Sequence, residues 1–533
     1  MKLRSSRLAA VTTGVAIAAL ALTGCAGGSQ GGSGGGGNQT LTVSTSFVLK
    51  SLDPSTVYEA TGAMAVHAVY DTLVTFDGAD VTEAKPWLAE SFESSEDAKT
   101  FTFKLRDDVT FTDGSTLDSE DVVFSLDRLK NLKGSPSQTV EGLSFSAPDA
   151  STVVVTSEIA NPDIPTILAM PSAGIMNADA ATKLGASDAE DAATADTVGN
   201  ALDTESIGSG AYVISSFDPS SKIVLKANPD FWGEAPEFDR VVIQNVDVQN
   251  QELAIQKAKD AEIALDLSGP MVEGLPDSLT VSGSLDTSYQ LSANRDPAVS
   301  EITANPAFSQ ALSLAVDRSA IAELFGADAT PAAGLVPPAF VGALPESDVP
   351  KRDVEGAKKL LADAGIANPE VELVYPAITY RGVDLGTIVT RVQQDAAEAG
   401  ITITLTPQPI NAFLDSQGAG KLALGFTPSS LNYPVAASLV NNMAPGAGTA
   451  LRTGWTVERA DPAVIEAGDA VLAATTVEER SDAMQEWQLQ MNEHSPFIAL
   501  ANNSGIAVAT ADLTNTEYSP AGWIVDLPRV GTK

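Results

Sequence analysis

Residues 100–125 read TFTFKLRDDVTFTDGSTLDSEDVVFS and contain the pattern of a strand, a turn and the start of a helix. From Thr100 to Arg106, phenylalanine and leucine alternate with polar residues, which is the period-two pattern of a half-buried strand. Asp113-Gly114 forms a turn pair. Asp118 precedes a helical stretch, and Asp121 follows three residues later in the manner of a capping box. The segment therefore predicts a strand followed by a capped helix.

The second half of the chain alternates between helical and extended patterns. A helix is predicted over 353–364, a strand over 371–375, a second helix over 385–399 and a second strand over 401–406. Such alternation is typical of a sheet covered by helices. We therefore expect an α/β fold.

Charge excludes one class of partner. The chain has 533 residues and a formal net charge of −38. A protein this acidic does not bind nucleic acid or an anionic membrane surface by charge, so we expect neither interaction. The acidic run from Asp188 to Asp196 lacks the spacing of a calcium-binding loop, and we expect it to be a solvated loop.

The N-terminus resembles the export signal of a bacterial lipoprotein. Basic residues precede an apolar stretch over Leu8–Leu22, and residues 22–25, Leu-Thr-Gly-Cys, resemble a lipobox. Cys25 is the only cysteine, and a thiolate is suited to take a lipid group. We therefore expect 1–24 to be a signal peptide and 25–37 to be a lipidated cysteine with a flexible Gly/Ser linker.

Residues typical of catalysis are scarce. His67 and His494 are the only histidines, and neither a Gly-x-Ser-x-Gly elbow nor a His-Glu-x-x-His motif accompanies them. We expect no enzyme activity, no cofactor and no metal site.

Six segments in collinear order resemble a known family. Residues 101–125 resemble its signature hairpin and helix, with Thr112 where the family usually has histidine. The others are 51–54 (SLDP), 208–212 (GSGAY), 228–233 (NPDFWG), 311–318 (ALSLAVDR) and 492–500 (NEHSPFIAL). They resemble the oligopeptide- and dipeptide-binding receptors of bacterial ABC importers, which form solute-binding protein family 5.

The resemblance implies a periplasmic-binding-protein-like fold, in which two lobes close on a ligand like a hinge and one lobe carries an inserted domain. Domain I would comprise 38–72, 203–290 and 490–533. Domain II, the insertion, would be 73–202, and domain III would be 291–489. Ligand would be buried between domains I and III.

Candidate ligand-binding residues lie where these lobes would meet. Aromatic side chains beside a few polar groups suit a deep binding pocket, although core packing is the competing interpretation for each of them. The candidates are Val57, Tyr58, Glu59, Asn294, Phe426, Asn432, Tyr433 and Trp455.

One departure from the family pattern concerns the ligand's amino group. Peptide-binding relatives place an aspartate for that group in an aromatic-rich segment, which here reads GFTPSSLNYP over 425–434. No carboxylate occurs between Asp415 and Glu458. A buried ammonium without a counter-charge costs several kcal/mol. Either Glu59 or another acid substitutes, or the ligand is not an ordinary free-amine peptide.

The sequence thus predicts a monomeric receptor, lipid-anchored at Cys25 on the outer face of the cell membrane. It would deliver a peptide or peptide-like solute to the permease subunits of an ABC importer. Two alternatives stay open. The same fold could bind an oligosaccharide, an opine or a metal chelate, or it could serve as a sensory receptor without a transporter.

The lipid anchor can be tested by replacing its attachment point. We expect Cys25→Ala to release the protein into the medium, because no acyl chain would then hold it at the bilayer. Immunoblotting of membrane and medium fractions measures this. Retention of the variant in the membrane fraction would contradict the anchor.

Overall fold

The computed structural model describes residues 39–47, 49–326, 328–431 and 433–533. The predicted signal peptide, Cys25 and the linker lie outside these residues, as does the candidate Asn432. From Gln39 to the C-terminus the chain forms one compact unit, and the three-domain boundaries stay a prediction. No helix in the described ranges is long and apolar enough to cross a membrane.

The strand and helix predicted within 100–125 are confirmed. The strand spans Thr100–Leu105 and the helix Ser119–Asn131. The Asp118 carboxylate accepts a hydrogen bond from the Asp121 backbone N–H at 3.3 Å, and the Asp121 carboxylate accepts one from the Asp118 backbone N–H at 3.1 Å. This reciprocal pair is the predicted capping box, and it fixes where the helix begins.

The strands and helices of the described residues are as follows. The strands are β1 (Thr40–Thr45), β2 (Val74–Asp77), β3 (Asp80–Pro86), β4 (Ala89–Ser94), β5 (Thr100–Leu105), β6 (Leu143–Asp149), β7 (Thr152–Ser157), β8 (Tyr212–Asp218), β9 (Lys222–Ala227), β10 (Arg240–Asn245), β11 (Glu262–Ala264), β12 (Leu279–Ala293), β13 (Thr330–Pro331), β14 (Glu370–Pro376), β15 (Thr379–Tyr380), β16 (Val383–Asp384), β17 (Thr402–Gln408), β18 (Leu424–Ser430), β19 (Phe497–Thr510), β20 (Leu513–Thr514) and β21 (Gly531–Thr532). The helices are α1 (Ala60–Val69), α2 (Ser119–Asn131), α3 (Ile164–Leu168), α4 (Ala178–Lys183), α5 (Ala192–Ala195), α6 (Val248–Ile255), α7 (Gly269–Val272), α8 (Glu301–Ala304), α9 (Pro306–Ala315), α10 (Arg318–Ala322), α11 (Val354–Asp363), α12 (Leu385–Glu398), α13 (Ile410–Gly418), α14 (Ser438–Met443), α15 (Gly448–Arg452), α16 (Pro462–Ala473) and α17 (Val477–His494).

A large mixed sheet organises the fold, and it confirms the predicted α/β class. Its order is β17-β14-β18-β12-β19-β11-β1-β10-β9-β8, with β13 paired to β19. The two longest strands, β12 and β19, run antiparallel at its centre. Parallel pairs flank them, β14 with β17 and β18 on one side and β1 with β10 and β11 on the other. The central pair therefore joins two α/β halves.

A separate four-stranded antiparallel sheet, β4-β5-β7-β6, lies within residues 89–157. Phe101 and Phe103 of β5 are buried, as are Val122 and Leu126 of α2, and all four belong to the same hydrophobic core. The alternation that predicted β5 and the apolar spacing along α2 both arise because each element buries one face.

A buried ion cluster joins three distant segments. The two terminal guanidinium nitrogens of Arg128 donate to the Asp53 carboxylate at 2.8 and 2.7 Å, and Arg128 Nε donates to Asp196 Oδ2 at 2.8 Å. The side chains of Arg128 and Asp53 are 1% and 3% exposed. The Asp196 side chain is only 6% exposed, so the expectation that the 188–196 run is solvated is wrong at this residue, because Arg128 draws it inward.

Removing the cation from this cluster should destabilise the protein. Arg128→Gln leaves two buried carboxylates without a counter-charge, and we expect a loss of about 3–5 kcal/mol in the free energy of unfolding. Urea unfolding followed by tryptophan fluorescence measures it. Lys358→Gln is the control, since Lys358 pairs with Glu355 on the surface and its loss should change the free energy by less than about 0.5 kcal/mol. Equal effects from the two substitutions would contradict a structural role for the cluster.

Candidate functional site

The pairing of β12 with β19 is interrupted at Asp286. Leu285 pairs with Ser504 and Thr287 with Asn503, which leaves Asp286 without a partner in the register. A bulge of this kind redirects a side chain and increases the local twist. Asp286 is also the only charged residue between Asp277 and Arg295. The bulge therefore places a single carboxylate midway along the strand that joins the two halves of the sheet.

Asp286 is held by Arg381 and Tyr518, and the three side chains form the Asp286–Arg381–Tyr518 cluster. Both terminal nitrogens of Arg381 donate to the two carboxylate oxygens, one of them at 3.0 Å from Oδ2. The Tyr518 hydroxyl donates to Asp286 Oδ2 at 3.1 Å and accepts from Arg381 Nη2 at 3.2 Å. Asp286 is 6% exposed, whereas the Arg381 side chain is 20% exposed. Charge-assisted, bidentate hydrogen bonds make this a strong local contact.

Protonation states in the cluster follow from burial and charge. Burial opposes the charge of Arg381, but the hydrogen-bonded Asp286 carboxylate favours it, and the pKa of the guanidinium stays well above its usual value. Burial also raises the pKa of the Tyr518 phenol, although Arg381 acts in the opposite direction. Near neutral pH the cluster therefore holds a cationic arginine and a neutral, hydrogen-bond-donating tyrosine.

Arg381 lies in a tight hairpin turn. Strands β15 and β16 form a hairpin whose two-residue turn is Arg381-Gly382, with φ of 47° and 74°. A type I′ hairpin turn requires positive φ at both central residues. A Cβ at Gly382 would lie 2.2 Å from the Ser268 Cβ, so glycine is required there for packing as well.

The cluster lines a cavity of about 240 Å³, which we call the central cavity. Its walls come from 57–63 and 518–524, from 136–139 and 170–172, and from 340, 380–381 and 430–431. These stretches belong to each of the three predicted domains. Besides the cluster, the polar side chains in the lining are Tyr58, Thr139, Ser172, Tyr380, Ser430 and Ser519.

A second contact joins segments predicted to lie in different lobes. Arg480 of α17 donates to Asp163 Oδ2 at 2.7 Å, to Asn161 Oδ1 at 3.2 Å and to the Ala160 carbonyl at 2.9 Å. Arg480 is 6% exposed and Asp163 is 8% exposed. A buried guanidinium that donates to three acceptors of another segment fixes the relative position of the two segments it connects.

Of the sequence-predicted residues that the structure describes, only Val57 and Tyr58 line the central cavity. Burial raises the pKa of the Tyr58 phenol above its usual value. Glu59 directly precedes α1, and its carboxylate accepts from the Tyr58 backbone N–H at 3.4 Å. Tyr433 packs beside the core, where burial raises its pKa to about 12.

Three other candidates are buried and do not line this cavity. Asn294 donates to the Gly420 carbonyl at 3.1 Å. Phe426 stacks with Tyr289 at 6.2 Å between ring centroids, and Trp455 lies edge-to-face with Phe497, also at 6.2 Å. None of the three lines the central cavity, and their assignment as ligand contacts stays a prediction.

Sequence reasoning missed the three residues of the Asp286–Arg381–Tyr518 cluster. A lone aspartate inside a long, otherwise uncharged strand was a usable signal for Asp286, because a buried charge needs a partner. The Arg381-Gly382 pair was a weaker signal for Arg381, because it predicts only an exposed turn. Tyr518 had no local signal, since its position depends on Gly505 of β19, where a Cβ would lie 2.0 Å from the tyrosine ring.

Within the ranges that the structure describes, no group of three or more His, Cys, Asp or Glu side chains is arranged to hold a metal ion.

Residues 83–450 match the family described as bacterial extracellular solute-binding proteins, family 5. Di/tripeptide-binding protein 2 of Pseudomonas aeruginosa is 26% identical over 395 residues, which cover 69% of this chain and 71% of that protein.

Solved structures share the fold. The ABC transporter substrate-binding protein CtaP of Listeria monocytogenes superposes with a TM-score of 0.78 at 17% identity, covering 93% of this chain and 99% of that one. The binding protein AgaA of A. tumefaciens R10, in complex with agropinic acid, superposes with a TM-score of 0.71 at 22% identity, covering 93% and 99%. The two-lobed binding-protein fold expected from the sequence is confirmed.

Proposed function

We propose that this chain, which belongs to family 5 of the bacterial extracellular solute-binding proteins, is the receptor of an ABC importer and captures a small zwitterionic, peptide-like solute. The central cavity is its binding site. The observation that carries the proposal is the buried ion pair of Asp286 and Arg381, which faces that cavity.

The ion pair supports a zwitterion through charge balance. A ligand carboxylate would take the bidentate donors of Arg381, and a ligand ammonium would take Asp286. Such an exchange replaces one ion pair by two and leaves neither buried charge uncompensated, which avoids the main cost of burying ions. Asp286 is thus our candidate for the acid that replaces the family's missing amine-binding aspartate.

Cavity size and lining limit the ligand. A volume of about 240 Å³ lies below the roughly 300–1,000 Å³ that is common for drug-sized ligands, so a di- or tripeptide fits the proposal better than a long peptide. The di/tripeptide-binding relative is in keeping with this size. An opine also carries amino and carboxyl groups, so the AgaA likeness makes it the second candidate. A neutral oligosaccharide would leave the ion pair unused.

Closure is the proposed signal to the transporter. We assign 38–72, 203–290 and 490–533 with the inserted 73–202 to one lobe, and 291–489 to the other. On this assignment Arg480 and Asp163 form a contact that exists only when the lobes are closed. A ligand favours closure only to the extent that it binds the closed state more tightly than the open one. The lipid at Cys25 would keep the receptor beside its permease.

Substitutions in the cluster should reveal the zwitterion site. We expect Arg381→Gln and Asp286→Asn each to weaken binding of a di- or tripeptide about 30-fold or more, because each leaves one ligand charge buried and unpaired. Isothermal titration calorimetry against a peptide panel measures the affinity, and thermal melting checks that each variant is folded. Arg459→Gln is the control, since its ion pair with Asp296 is exposed. Unchanged peptide affinity in both cluster variants, or binding of an oligosaccharide alone, would reject the peptide-like ligand.

The Arg480 contact tests closure independently. We expect Arg480→Gln to lower ligand affinity about tenfold by reducing the closed population. The radius of gyration without ligand, from small-angle X-ray scattering, should rise. Arg459→Gln again serves as the matched control, because both members of its ion pair lie within 291–489. If Arg480→Gln changes neither quantity, the contact does not hold the lobes together.

A further inference from the structure

A second and larger cavity, of about 550 Å³, lies beside the C-terminal residues, and we call it the C-terminal cavity. It shares no lining residue with the central cavity. Its lining combines aromatic rings with carboxylates. The aromatic residues are His67, Phe76, Trp87 and Phe231, and the acidic residues are Asp71, Asp526, Glu234 and Glu237.

Asp71 is a buried carboxylate held by neutral donors. Its oxygens accept from Trp87 Nε1 at 2.8 Å, from Ser209 Oγ at 2.8 Å and from Trp232 Nε1 at 3.0 Å. Asp71 is 7% exposed, and the three side chains that donate to it among the described residues are all uncharged. A buried carboxylate fixed in this way keeps a local negative potential that a bound cation would neutralise.

His67 belongs to α1, four residues before Asp71, and also lines the cavity. Its ring stacks on Trp523 with centroids 4.0 Å apart and planes 5° from parallel, and its Nε2 lies 3.4 Å from Asp526 Oδ1. The His67 ring and the Asp526 carboxylate therefore place an aromatic ring beside an acid in the lining.

The charges in the lining are unbalanced. Arg529 is the only arginine or lysine in the described lining, and it is already paired with Asp77 at 2.8 Å. Glu237 is engaged by Thr532, whose backbone N–H donates at 2.9 Å. Glu234 is exposed at the rim and appears in no ion pair formed by the described residues. The negative charges therefore outnumber the positive ones.

Nearby aromatic rings already attract a cation. The Arg106 guanidinium lies 4.9 Å from the centre of the Trp232 ring, and Trp232 packs against both Trp87 and Phe231. Aromatic faces and carboxylates together are the features that recognise ammonium groups bearing an apolar body.

We propose that the C-terminal cavity binds a small organic cation, separately from the solute in the central cavity. The ammonium group lies among the carboxylates of Asp71, Asp526 and Glu234, and the apolar body contacts Trp87 and Phe231. This site does not depend on the proposed peptide capture.

Calorimetry with choline, putrescine and tryptamine tests the site, and dimethylbutanol, the neutral carbon isostere of choline, is the ligand control. We expect saturable binding of at least one cation with a Kd of about 1 mM or tighter, and none of the neutral isostere. Glu234→Gln should weaken that binding about two- to fivefold and Phe231→Ala about fivefold. Both side chains are partly or fully exposed, so the variants should fold, and thermal melting verifies this.

Arg381→Gln separates the two sites, because it should leave cation binding unchanged while peptide binding falls. The proposal is overturned if all three cations fail to bind, if dimethylbutanol binds as well as choline, or if Glu234→Gln and Phe231→Ala both bind the cation like the wild type.

Discussion

The antiparallel pairing of β12 with β19, with its bulge at Asp286, is the constraint on which the rest of the structure depends. Among the described strands, these two carry the sheet from one α/β half to the other. The bulge breaks the alternation at the point of crossing and leaves a carboxylate there that cannot stay buried without a partner. Arg381 from the β15–β16 hairpin and Tyr518 from the C-terminal segment supply that partner. The structural junction and the proposed binding site are therefore the same place.

This coincidence explains how binding and lobe movement can be coupled. Asp286 lies on a joining strand, whereas Arg381 belongs to the half that contains β14, β17 and β18, and Tyr518 follows β19. A ligand that inserts its own charges between Asp286 and Arg381 acts directly on the junction. Arg480 and Asp163 form a second contact between the proposed lobes. The free energy available for closure is the difference in ligand affinity between the two states, and charged contacts made only in the closed state supply it.

The elements that sequence patterns predicted are those whose cause is local. Strand β5 and helix α2 each bury one face, and the Asp118–Asp121 capping box lies within four residues, so short windows contain the information. The cavity lining was predicted only at Val57 and Tyr58. Asp286 depends on a register with β19, more than 200 residues away, and Tyr518 depends on the missing side chain of Gly505. The burial of Asp196 was not predicted for the same reason, because its partner Arg128 lies far away in the sequence.

The central claim is that a zwitterion exchanges with the Asp286–Arg381 ion pair. Chemical blocking of the ligand tests it most directly, because it removes one charge at a time without altering the protein. Calorimetry would compare dialanine and trialanine with their N-acetylated and C-amidated forms. The account predicts that the free peptides bind and that each blocked form loses about 30-fold or more in affinity. Blocked peptides that bind as tightly as the free ones would contradict it.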